Sequence, residues 1–166
     1  LLLSNRKVDV NAKCKNDYTP LHIAAERDAL ESIDLLFTRR DLDVNAKDIY
    51  GKTPLHIATE NQHPQSVFKL LTHPSILPNE VDNNCRSAFS IALSAHNFTL
   101  ISMFVSDPEI ALDVDRLKDS DLLQNFASKS NIEAVLGLVM RGFAPDRIDQ
   151  HGRTALTIAL GNGDVE

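Results

Sequence analysis

The sequence predicts an α-rich repeat solenoid of stacked helix-turn-helix units joined by β-hairpin-like loops. Three observations carry that prediction. The phrases "TPLHIAAE" at 19–26 and "TPLHIATE" at 53–60 stand 34 residues apart, and the same frame reaches Ser87, Asp121 and Thr154. Within each copy the apolar residues fall at three-and-four spacing, the period of a helix face. The composition is 43% hydrophobic but only 5% aromatic, without Trp, so aliphatic helix faces must build the core.

Residues 1–13 read as the tail of a unit already under way. The first helix of a unit begins at Thr19, Thr53, Ser87 or Thr154, whose hydroxyl can accept a bond from an unpaired backbone N–H. Pro20 and Pro54 follow at the first helical position, where a missing N–H costs nothing. Leu21, Ala24 and Ala25, then Leu55 and Ala58, give a short helix with small residues on one face, which lets a neighbouring helix approach closely. A brief break leads to a second helix marked by Ile33, Leu36 and Phe37; by Val67, Leu70 and Leu71; by Ile101, Phe104 and Val105; and by Val135, Leu138 and Val139. Between helix pairs, "DVNAKCKNDY" and "DVNAKDIYGK" put Asn, Asp and Gly where tight turns use them, and read as short fingers.

The period, the T-P-L-H-x-A phrase and the "DVNA" approach to each finger closely resemble the ankyrin repeat. The resemblance implies ankyrin units at 14–47 and 48–81, degenerate ones at 82–115 and 116–148, and the start of a truncated one at 149–166. Unit three replaces T-P-L-H with Ser87, Ala88, Phe89 and Ser90, after a loop with two prolines; unit four has Phe126 where Ala is usual and Asp119 where Gly is expected. Local distortion or lower stability is expected in both. With "LLL" at one end, "GNGDVE" at the other and no polar capping helix, the chain is expected to be a segment of a longer array.

Charge and chemistry exclude several classes. Seventeen basic against 23 acidic residues give a formal charge of −6, which disfavours a phosphate-binding surface, so no nucleic acid partner is expected. No run approaches membrane-spanning length. Cys14 and Cys85 lack zinc or redox spacing and imply free thiols in a reducing compartment, the cytoplasm or nucleus. His22 and His56, as equivalents in adjacent units, would sit roughly 8–10 Å apart, too far to share a metal ion. The resemblance gives each of them a structural role at its own helix start and towards the adjacent finger. His63 and His96 are placed at exposed helix-pair turns, and His56 with Glu60 is read as a surface pair. No Walker loop, dinucleotide fingerprint, G-x-S-x-G or paired carboxylates occur, so neither enzymatic activity nor a cofactor is expected.

The resemblance also implies a concave surface of fingers and first helices that binds another protein or peptide. Its expected contact residues are Lys15, Asn16, Tyr18, Arg27, Ile49, Tyr50, Lys52, Asn84, Arg86, His151 and Arg153, with Glu26, Glu60, Asn61, Asn83, Lys118, Lys129 and Gln150 beside them. Tyr and Arg commonly anchor interfaces, and an apolar Ile49 next to Tyr50 at a finger tip makes units one and two the preferred site. Two other readings compete. Asn11 and Asn45 each follow Asp-Val, with Leu3 or Phe37 eight positions earlier, a pattern similar to that modified by the asparaginyl hydroxylase that acts on ankyrin repeats; the simpler role is to bond the turn backbone. Alternatively the segment is a spacer between other domains. As an isolated segment it is expected to be monomeric.

Overall fold

The computed structural model describes residues 8–112 and 121–161. Lys118, Asp119 and Leu3, to which expectations were attached, lie outside the described residues. The chain divides into two compact units, residues 1–101 and 102–166.

In the first unit α1 (Pro20–Glu26) and α2 (Leu30–Phe37) form one pair, α3 (Pro54–Glu60) and α4 (Pro64–Leu71) a second, and α5 (Ala88–Ser94) begins a third. First helices stack on first helices, α1 on α3 and α3 on α5, while α2 packs on α4. The sequence builds these short helices from both ends. At Thr19 and Thr53 a reciprocal capping box forms, the third helical residue being His22 or His56, and Pro follows each cap. At Ser87 the hydroxyl accepts the Ser90 N–H at 3.2 Å. The break inside each pair falls on Asp28, Gln62 or His96, all with φ between 50° and 58°, so the helix stops in a left-handed residue.

The stacking faces are buried as the periodicity requires. Ala24, Ala58 and Ala92 are closed off, as are Ile33, Val67 and Ile101 from the second helices. Thr59 sits where unit one has Ala25, fully buried, and its hydroxyl is satisfied by the Leu55 carbonyl at 2.7 Å. Unit three, for all its lost signature, keeps a seven-residue first helix.

The helix α6 (Phe98–Ser106) spans the division of the chain. In the second unit α7 (Leu122–Ser128) pairs with α8 (Ile132–Met140), and α9 (Ala155–Gly161) stacks on α7. Phe126, at the position of the small alanines, is fully buried inside a helix of ordinary length. Gly137 lets α8 approach α6: a Cβ there would lie 3.1 Å from Val105 Cγ1 and 3.2 Å from the Val105 carbonyl oxygen. Among the described residues there is no strand, only an isolated antiparallel bridge between Val81 and Ser87.

Candidate functional site

Four fingers share one geometry. The N–H of the first residue meets the carbonyl of the fifth at 2.8 Å for Cys14 and Tyr18, 3.0 Å for Asp48 and Lys52, and 2.9 Å for both Asp82–Arg86 and Asp149–Arg153. The fourth residue is left-handed each time: Asp17 (φ 61°), Gly51 (74°), Cys85 (58°) and Gly152 (74°). In the last three fingers the leading Asp accepts, through Oδ1, the N–H groups two and four residues on, at 2.8–2.9 Å. Adjacent fingers are tied by Ile49 N–H to the Asn16 carbonyl at 3.1 Å and Asn83 N–H to the Tyr50 carbonyl at 2.9 Å. Gly51 is required twice over, by its φ and because a Cβ would lie 2.4 Å from Asn83 Oδ1.

Each signature histidine bonds at both ring nitrogens. The Thr19 N–H and hydroxyl lie 3.2 and 2.9 Å from His22 Nδ1, and His22 Nε2 meets the Lys52 carbonyl at 3.0 Å. His56 repeats this with Thr53 and the Arg86 carbonyl. A carbonyl only accepts, so Nε2 carries the proton and Nδ1 is the acceptor. Burial pushes both imidazoles below their usual value, overcoming the carbonyl bonds and nearby carboxylates that favour protonation. His56 is therefore not a surface partner of Glu60. It is 1% exposed, and the Glu60 carboxylate is taken by two cations. His63 likewise is half-buried and reaches the Ala25 carbonyl at 3.1 Å, linking two repeats.

The expected contact residues divide by what their side chains already do. In the first unit Lys15, Asn16, Arg27 and Asn84 are exposed, and Ile49 and Tyr50 are about half exposed, at 49% and 53%. Tyr18 is not a free contact: its ring lies on His22 with centroids 5.2 Å apart, and burial raises the phenol above its usual value. Lys52 and Arg86 are tied into a cluster. Lys52 Nζ meets Glu60 Oε2 at 2.6 Å, and Arg86 reaches Glu60 Oε1 at 3.2 Å and Asp82 Oδ2 at 2.7 Å. The Lys52 ammonium also lies 5.8 Å from the Tyr50 ring centroid. Burial favours the neutral Asp82 carboxyl, but the bonds from Arg86 and Asn84 outweigh it and hold the carboxyl below its usual range. Asp48 and Asp82 were not singled out from sequence; their signal is an Asp followed four residues later by Lys or Arg, at 48, 82 and 149.

His151 and Arg153 belong to the second unit, where they line a polar cavity of about 130 Å³ with Asp121, Gln124 and Asn125. Arg153 is paired with Asp149 at 2.9 Å. Asn11 and Asn45 are clamps. Asn11 Nδ2 donates to the Asp41 carbonyl at 2.7 Å while Oδ1 accepts the Asp43 N–H at 2.8 Å, and Asn45 does the same to Ser75 and Leu77. Cys14 and Cys85 are free and exposed. Among the described residues no group of three or more metal-binding side chains occurs, and no helix is long and apolar enough to cross a membrane.

Comparison with known families agrees with this architecture. Residues 2–58 match the family model for ankyrin repeats in many copies, and residues 50–83 match the model for the ankyrin repeat. The search of curated proteins returned no match. The matched stretch contains both T-P-L-H helix starts, both doubly bonded histidines and the first two interlocked fingers. On these grounds residues 2–83 of the chain belong to the ankyrin repeat family.

Proposed function

We propose that the finger and first-helix face of the first unit is a scaffold surface that binds a partner protein or peptide, centred on Ile49 and Tyr50. Ankyrin repeats are generally protein–protein interaction modules, and the family is typically non-enzymatic. One observation carries the placement. Ile49 and Tyr50 have their backbone groups committed to the neighbouring fingers, while their side chains stay about half exposed. The fold uses their backbone and leaves an aliphatic and an aromatic side chain outside, the residue types that anchor interfaces when buried by a partner. Lys15, Asn16, Arg27 and Asn84 supply the polar surroundings.

Pull-down with the full chain, compared with Ile49→Ala/Tyr50→Ala, tests this reading. The expected result is a captured protein lost from the variant while the melting temperature is kept. Capture that is unchanged in the variant removes the site from this face, and a chain that retains nothing under any condition is a spacer. The reading of Asn11 and Asn45 as hydroxylation sites has less support, because each side chain is bonded at both ends to the following loop and a modifying enzyme would have to open it.

A further inference from the structure

The fingers at 48–52, 82–86 and 149–153 share a frame, an aspartate followed four residues later by a cation. Two of them share its outcome. Asp82 Oδ2 takes Arg86 Nε and an outer guanidinium nitrogen at 2.9 and 2.7 Å, and Asp149 Oδ2 takes Arg153 at 3.0 and 2.9 Å. In the remaining finger the cation is Lys52, and its ammonium lies on Glu60 instead. Asp48 is 6% exposed, and its Oδ2 has no partner. A buried carboxylate oxygen without a donor is a standing cost to the fold.

Three carboxylates, Asp48, Glu60 and Asp82, thus share two cations, Lys52 and Arg86. Arg86 spans two of them with its fork. An ammonium is a single point charge and serves one at a time. The Lys52 N–H is already bonded to Asp48 Oδ1 at 2.8 Å, so the lysine stem starts beside the unpaired oxygen. A further cation at Glu60 would free Lys52 to take the place beside its own finger's aspartate that Arg86 and Arg153 take beside theirs. Tyr50 favours such an arrival, since its half-exposed ring already faces the ammonium it would exchange.

We propose that this cluster is a receptor for one arginine side chain of a basic peptide, whose guanidinium pairs with Glu60 against Tyr50 while Lys52 moves onto Asp48 Oδ2. The inference rests on reading this face as a protein-binding surface, and gives its partner a chemistry. Arginine is selected over lysine because its weakly hydrated planar group can stack on the ring and pair with the carboxylate at once. The exchange leaves no carboxylate of the cluster without a cation.

Fluorescence anisotropy with the full chain and a labelled peptide of alternating arginine and glycine provides the test, with lysine-glycine and glutamate-glycine peptides as comparators. The arginine peptide binds best and the glutamate peptide does not bind. Glu60→Gln and Asp48→Asn each weaken the arginine peptide roughly tenfold, the scale of one ion pair withdrawn from water. Asp48→Asn holds or raises the melting temperature, because it removes an unpaired charge, whereas Asp82→Asn lowers it. Equal binding of the arginine and glutamate peptides overturns the proposal, as does binding that survives Glu60→Gln, or a melting temperature that Asp48→Asn lowers as far as Asp82→Asn does. A protein captured through Ile49 and Tyr50 whose binding is indifferent to Glu60→Gln would also overturn it, and would leave the protein-binding reading intact.

Discussion

His56 Nε2 donates to the main-chain carbonyl of Arg86 at 3.0 Å, across thirty residues of sequence and into the next finger. The partner bond from the Thr53 N–H to Nδ1 exists only while that nitrogen is unprotonated and can accept. His22 stands in the same relation to Thr19 and Lys52.

The first prediction concerns acid. Both imidazoles are held by burial below 6.5, the value at which they protonate in the unfolded chain. As pH falls through 6.5 the unfolded state binds protons that the folded state refuses, so stability declines. It is complete above 6.5 and lost progressively below. Thermal melts at about pH 7.5 and about pH 5.5 should show this loss before carboxylate titration begins. His56→Gln should start less stable and fall less with acid, since a glutamine can still donate to the carbonyl, as Gln124 does to Arg147 at 2.8 Å.

Asn45 should matter more than its partial exposure suggests. Asn45→Ala removes the bonds to the Ser75 carbonyl and from the Leu77 N–H. A loss of about 1–2 kcal/mol is expected from two such bonds at a semi-exposed site. A urea midpoint equal to that of the parent protein would show that the clamp is idle.

Finger geometry makes a reciprocal pair of predictions. Gly51→Ala places a Cβ in a left-handed residue and into Asn83, so it should cost at least about 1–2 kcal/mol. Cys85→Gly relieves the same conformation, φ 58°, and should gain about 1 kcal/mol. Chemical denaturation of both variants checks the signs.

Much of the first unit was legible because its signals are local. A Thr-Pro start needs only its own helix, and a 34-residue frame fixes which apolar faces meet. The site was less so. His56 and Glu60 share a helix face by spacing, but spacing does not say that the next finger closes over the histidine and delivers Arg86 to the glutamate. Nor does it reveal that Lys52 leaves Asp48 for Glu60 when Arg86 stays with Asp82, since that choice turns on one ammonium against one fork. His63 does stand at a helix-pair turn, but it is half-buried there, because its partner, the Ala25 carbonyl, lies 38 residues back. The expected distortion in unit three did not appear in its first helix, because Ser87 caps as a threonine would and Ala92 keeps the stacking face small.

Lys13 and Lys47 add to the grip of the histidines and asparagines: each donates to a carbonyl 34 residues ahead, at Lys47 and Val81, at 3.1 Å. In all six of these bonds, from residues 11, 13, 22, 45, 47 and 56, a side chain holds and plain backbone is held. These six all run forward, although His63 and Asn83 each reach back to a carbonyl of the unit before, at Ala25 and Ile49. What the forward bonds ask of a newcomer is a carbonyl, which every residue owns, so the bond from His56 to Arg86 survives in a unit three that has shed its own threonine, proline and histidine.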